Sequence, residues 1–150
     1  MSQHLAFRAM TFAQRTTRVY YDANALDRKI IGEITNKNPL SRTASVVSHL
    51  SIGEAACNEN KKGNMKDFME IVQQLQEYID VVSVDEATPL LNKVQKQFPR
   101  LTLSDSIHLA LCLQFSCAEL RTRDADLLTI SPVKIDELCG ANSLRKPRIR

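Results

Sequence analysis

Apolar and polar positions fall in short blocks along this chain, and the period changes from block to block. Val19–Tyr21 is a β-branched and aromatic run that stops on Asp22, which predicts a first strand. "NALDRKIIGEI" follows, with Ala25, Leu26, Ile30 and Ile34 close to helical spacing, and "NKNPLSR" then gathers the Asn, Pro and Ser of a loop. "ASVVSHL" reads as a second strand, after which Ser51 opens a helix through "SIGEAACNENKK" and "KKGN" turns the chain. From Met65 to Tyr78 the pattern is amphipathic, with Phe68, Ile71, Val72, Leu75 and Ile79 on one stripe. "VVSV", Val81–Val84, predicts a third strand, and "DEATPLLNKVQKQF" a helix that tolerates Pro89 in its first turn.

Beyond Thr102 the pattern loses its polar face. "SDSIHLALCLQFSC" is apolar nearly all round, so this helix must be covered on most sides, with Ile107, Leu109, Ala110, Leu111 and Leu113 in the core. "ELRT", Glu119–Thr122, predicts a fourth strand, and "VKI", Val133–Ile135, is a candidate fifth. Strands alternating with helices in one short chain imply an α/β fold, an open and mostly parallel sheet with helices on both faces.

Composition narrows this picture. The 150 residues suit one domain with a real core, and 43% hydrophobic with 25% charged residues are ordinary globular values. No apolar run approaches the roughly 18 residues of a membrane span, so no membrane is expected as a partner and a cytoplasmic location is. The four cysteines, Cys57, Cys112, Cys117 and Cys139, form no CxxC pair, and His4, His49 and His108 are scattered. Free thiols in a reducing compartment are expected, not a zinc site. The net charge is +3, placed unevenly: Arg8, Arg15 and Arg18 precede Asp22 without an acid, and Arg145, Lys146, Arg148 and Arg150 crowd the last six residues. The expected organisation is a basic, poorly ordered lead over 1–17, one folded domain over 18–139 and a basic tail over 140–150.

Four acids occupy one kind of address. Asp22 directly follows the first strand, Glu54 lies in the first turn after the second, Asp124 follows the fourth, and Asp105 starts the buried helix that leads into it. In open α/β sheets the working crevice lies beyond the carboxyl ends of the strands. Each acid also has a structural explanation. "SIGE" and "TLSD" fit the capping box, Asp22 can cap the helix it precedes, and "TRDAD" can be an Asx-turn. These explanations account for the acids singly and leave their shared end of the sheet unexplained.

Crowded carboxylates repel unless a hard divalent cation neutralises them. Mg²⁺ or Mn²⁺ takes oxygen ligands, shares its remaining positions with substrate phosphate and activates water, so no histidine base is needed. Other chemistries lack their residues: there is no GxxxxGK[ST], GxGxxG or GxSxG. "DAN" puts Asn24 where a haloacid-dehalogenase-like phosphatase needs a second carboxylate. A receiver-like reading has Lys134 but only Asp85 as its phosphoacceptor.

With those residues in place, the chain resembles a PIN domain, and in its compactness the VapC-like toxin ribonuclease branch. The matching stretches are "RVYYDANAL", "VVSHLSIGEAACN", "LTLSDSIHLALCLQF" and "ELRTRDADL", covering most of Arg18 to Leu127. The resemblance implies a three-layer α/β/α sandwich with sheet order 3-2-1-4-5, a Mg²⁺ or Mn²⁺ site, and hydrolysis of RNA phosphodiester bonds. It carries the acidic quartet onto Asp22, Glu54, Asp105 and Asp124, with Asp126, Asn24 and Thr122 as auxiliary polar positions. It also implies a homodimer silenced by an antitoxin protein that inserts a peptide into the cleft.

In this scheme Asp22, Asp105 and Asp124 hold the metal while Glu54 positions or deprotonates the attacking water. Arg123 and the terminal arginines are the candidate RNA phosphate contacts. The alternative is a non-catalytic PIN-like scaffold that binds RNA or a protein partner and uses its acids as caps. Stabilisation by Mn²⁺ separates the two.

Overall fold

The computed structural model describes residues 17–23, 25–26, 32–33, 43–75 and 79–150. Five strands form one parallel sheet in the order β3-β2-β1-β4-β5. β1 is Thr17–Tyr21, β2 Thr43–Ser48, β3 Ile79–Val82, β4 Glu119–Arg121 and β5 Arg148–Ile149. Between them come α1 (His49–Lys61), α2 (Met65–Leu75), a single 3-10 turn at Val84–Ala87, α3 (Thr88–Gln97), α4 (Leu103–Gln114), α5 (Ala125–Leu128) and α6 (Pro132–Ala141). The helix expected over 24–34 falls largely outside the described residues, although Gly32 and Glu33 within it are helical. Most of the expected basic lead and the loop over 36–42 also lie outside them.

Strand alternation divides the core between the two faces of the sheet. Val19, Tyr21, Val47 and Ile79 pack with Ala55 of α1 and with Phe68 and Val72 of α2. Tyr20, Val46, Val82 and Leu120 point the other way, into a larger cluster with Val94 of α3, Leu109, Leu111 and Leu113 of α4, and Ile135 and Leu138 of α6. This is the three-layer α/β/α arrangement. α4 is covered as its composition demands, with Leu109, Ala110, Leu111 and Leu113 buried and Ile107 packed against the core from a partly buried position. Each fully buried leucine contributes roughly 1.5–3 kcal/mol of transfer free energy.

Four local expectations need correction. Val133–Ile135 is not a strand but lies inside α6. Ser131 caps that helix by accepting from Lys134 N at 3.4 Å, Pro132 sits in the first turn, and Ile135, Leu138 and Cys139 are buried at helical spacing. The fifth strand comes instead from the basic C-terminal residues, where Arg148 N bonds Ala118 O at 2.8 Å and Arg150 N bonds Leu120 O at 3.0 Å. Ile79 belongs to β3, opposite Ser45, and Val84 starts the 3-10 turn, so this strand begins and ends earlier than expected. Finally, α1 begins at His49 and its N-cap is Ser48, not Ser51. Ser51 occupies the third helical position, and the two serines cap reciprocally, Ser51 N to Ser48 Oγ at 3.1 Å and Ser48 N to Ser51 Oγ at 3.4 Å.

α1 closes in a Schellman turn. Gly63, at φ +78°, adopts the left-handed conformation that lets Asn64 N reach Glu59 O at 2.9 Å and Gly63 N reach Asn60 O at 3.1 Å. All four cysteines are free thiols. Among the described residues no helix is long and apolar enough to cross a membrane.

Candidate metal centre

The carboxyl ends of β1 and β4 are tied together at the middle of the sheet, where Asp22 N donates to Arg121 O at 3.2 Å. Asp22 is 3% exposed. Its Oδ1 accepts from Ala25 N at 3.0 Å within a turn, and its Oδ2 accepts from the Thr122 hydroxyl; the helix that Asp22 is expected to cap falls largely outside the described residues. Burial raises the Asp22 pKa against the pull of those two hydrogen bonds and of nearby His108, and Asp124 adds to the rise. Thr122 is a bridge, because its Oγ1 also accepts from Asp124 N at 3.0 Å. Thr122 N in turn donates to Arg150 O at 3.0 Å, so the end of β5 steadies this turn.

Asp124 is the N-cap of α5, with Oδ1 accepting from Asp126 N at 2.8 Å, which realises the Asx-turn explanation. Asp105 sits in the first turn of α4 behind the N-cap Thr102, whose Oγ1 accepts from Asp105 N at 3.1 Å. Capping does not exhaust these carboxylates. Asp105, Asp124 and Asp126 each offer an oxygen such that all three lie within 4.8 Å of one another, graded from buried through half-buried to exposed. Oxygens sharing one ion through bonds of about 2.1 Å sit roughly 3–4 Å apart, so a small closure completes such a set. The Asp105 pKa is pushed up to about 6, first by burial and then by the Asp124 charge, with Thr102 and His108 opposing.

Glu54 lies in a different setting. Because α1 starts at His49 with Ser48 as its cap, Glu54 lies in the second turn and is free of the capping role its spacing suggests. It reaches across the end of the sheet to α4. Ser104 Oγ donates at 3.0 Å to both carboxylate oxygens, and His108 Nε2 lies 2.8 Å from Oε1. The His108 hydrogen bond holds the Glu54 pKa below its usual value, against the effect of partial burial.

The structure therefore brings Asp105, Asp124 and Asp126 into one set, places Asp22 behind it through the Thr122 bridge, and couples Glu54 to His108. Asn24 lies outside the described residues. Arg123 is exposed and lines a groove of about 530 Å³ with Lys61, Lys62, Ala23 and Leu26. A second groove of about 450 Å³ includes Asp126 and carries Arg100 and Lys134. Two of the basic C-terminal side chains form ion pairs at the surface, Arg150 with Glu119 and Lys146 with Asp136. Sequence reasoning missed His108, Ser104 and Tyr20. The available signal was a pair of polar residues, Ser104 and His108, at i and i+4 on an otherwise apolar helix.

Fold and site together define a parallel α/β domain with an acidic cleft at the carboxyl end of its sheet. The sequence matches no protein-family model and no curated protein.

Proposed function

We propose that this protein is a Mg²⁺- or Mn²⁺-dependent endoribonuclease of PIN-like type. The observation that carries the reading is the convergence of Asp105, Asp124 and Asp126 within 4.8 Å at the sheet's carboxyl end. The donor set fits the ion: carboxylate oxygens alone suit a hard cation such as Mg²⁺ or Mn²⁺ and give a softer metal no imidazole or thiolate. Asp105, Asp124 and Asp126 would hold it, with Asp22 adding negative charge from behind. Bound there, the ion would activate water and screen the charge that develops on phosphorus.

The chain's own residues supply the rest. Thr122 fixes Asp22 and the Asp124 backbone in one register. Glu54, kept ionised by His108, accepts a proton from or orients the attacking water. Arg123 with Lys61 and Lys62 on one side, and Arg100 with Lys134 on the other, offer cations to the phosphates of a strand crossing the cleft. The VapC-like resemblance extends this to a cytoplasmic toxin, a homodimer held inactive by an antitoxin.

The backbone hydrogen bonds that Asp22 and Asp124 accept favour a second reading, a binding scaffold whose acids are structural. Cleavage of a panel of structured RNAs by the purified chain, with Mn²⁺, with EDTA and as Asp105→Asn, tests the two. Cutting that disappears in both controls supports the nuclease; a folded protein that cuts nothing with Mn²⁺ leaves the scaffold.

A further inference from the structure

We infer that His108 is a positioning residue for Glu54: a buried imidazole, braced by Tyr20, that holds this carboxylate in one orientation at the edge of the acidic cleft. The inference rests on the hydrolytic reading above and adds to it a geometric role for His108. The Glu54 side chain is 38% exposed, whereas the His108 side chain beside it is 2% exposed. A glutamate that open to solvent ordinarily samples several rotamers. Here one oxygen meets His108 Nε2 at 2.8 Å and both meet the Ser104 hydroxyl at 3.0 Å.

His108 is itself fixed at its other nitrogen. Nδ1 lies 2.7 Å from the Tyr20 hydroxyl, so the ring cannot turn without losing both partners. Tyr20 is wholly buried on the central strand, and its hydroxyl donates at 2.8 Å to Ser48 Oγ. Ser48 is the N-cap of α1, the helix that carries Glu54. The contacts therefore close a circuit: from the cap of α1, through β1 and α4, and back to the second turn of α1. Such a circuit fixes the entry of α1 and the direction of one of its side chains together. An ordinary α4-to-sheet tether would need only the Tyr20 half.

The test uses the full chain and Mn²⁺-dependent RNA cleavage, with kcat and KM, Mn²⁺ affinity and thermal melting measured on each variant. His108→Leu should lower kcat by about 10–100-fold, as loss of a partner that orients a functional group does. KM and Mn²⁺ affinity should stay within about twofold of wild type. His108→Gln, which restores an N–H donor toward Glu54, should recover most of the rate. Against the residual rate of Glu54→Gln, adding His108→Leu should cost nothing more, because the two act as one unit. Tyr20→Phe keeps the ring and removes the brace, and should give a smaller fall of about 3–10-fold in kcat.

A folded His108→Leu that cleaves at the wild-type rate overturns the inference, as do losses that multiply in the double variant. If His108→Leu does not fold, an unchanged kcat in Tyr20→Phe overturns it. A wild-type protein that cleaves no RNA removes the hydrolytic reading and this role with it; an active wild type with an equally active His108→Leu removes the role alone.

Discussion

Asp105 and Glu54 both sit where helices meet the carboxyl end of the sheet, and their environments push them in opposite directions. Asp105 faces Asp124 across a desolvated gap and its pKa rises to about 6, whereas Glu54 faces His108 and its pKa falls. Residue type is the same carboxylate in both cases; the neighbour decides. Asp105 stays under electrostatic stress that a cation beside it would relieve, while the Glu54 circuit is satisfied within the protein. On the proposed metal-dependent reading, Asp105 would meet the ion while Glu54 is already held in place beside it.

Breaking the stressed side should have the largest effect. Asp105→Asn should lower Mn²⁺-dependent RNA cleavage by at least about 100-fold and should raise the melting temperature of the metal-free protein at neutral pH. The sign follows from linkage. With its pKa raised from 3.8 to about 6, Asp105 favours the fold when protonated, so stability falls as pH rises between those values. Partial solvation of the carboxyl keeps the penalty above that window well under about 3 kcal/mol, and asparagine does not incur it.

Metal should sharpen the contrast. Mn²⁺ at about 100 times its dissociation constant stabilises by about 2.7 kcal/mol. The rise in melting temperature should be larger at neutral pH than near pH 5, where Asp105 holds its proton, and EDTA should reverse it. A smaller effect is expected where the two sides are stitched together: Thr122→Val removes the hydroxyl shared by Asp22 and Asp124 N, and should cost about 1–3 kcal/mol in urea unfolding.

The smallest effect should come from the satisfied side. Since the folded-state pKa of Glu54 is depressed, its contribution is complete above the unfolded value and is lost as pH falls through the folded one. With a side chain more than a third exposed, solvent screening keeps this under about 1 kcal/mol. It should appear as a slightly flatter acid limb of the stability curve in Glu54→Gln.

Much of this arrangement was legible in the chain, and the exceptions have physical reasons. β1 and β2 are runs of β-branched and aromatic residues, and α4 has no polar face, so their periods are unambiguous. β5 is two residues after Pro147, too short to have a period, and its pairing depends on where α6 delivers the chain. "VKI" imitated a strand because three residues cannot separate alternation from one helical turn; the Ser131–Pro132 start and the buried Ile135, Leu138 and Cys139 settled it as helix. Two serines competed to cap α1, and the end of β2 at Ser48 decided between them.

At the site, the positions of the acids after strands and at a helix start placed them at one end of the sheet. That Asp22 and Asp124 each spend one oxygen on a backbone amide, and that Asp126 joins Asp105 and Asp124 in one set, depends on turn geometry that spacing does not encode. For His108 the i, i+4 spacing from Ser104 was the one signal in the sequence, and its meaning comes from Glu54 and Tyr20, which arrive from distant segments.

The most direct measurement is calorimetric titration of Mn²⁺ into the metal-free protein and into Asp105→Asn, near pH 6 and in two buffers of different ionisation enthalpy. The account of an ion held beside a stressed Asp105 predicts saturable binding to the wild type with release of a proton, and neither in Asp105→Asn. Absence of saturable binding, or equal binding to both proteins, would contradict it.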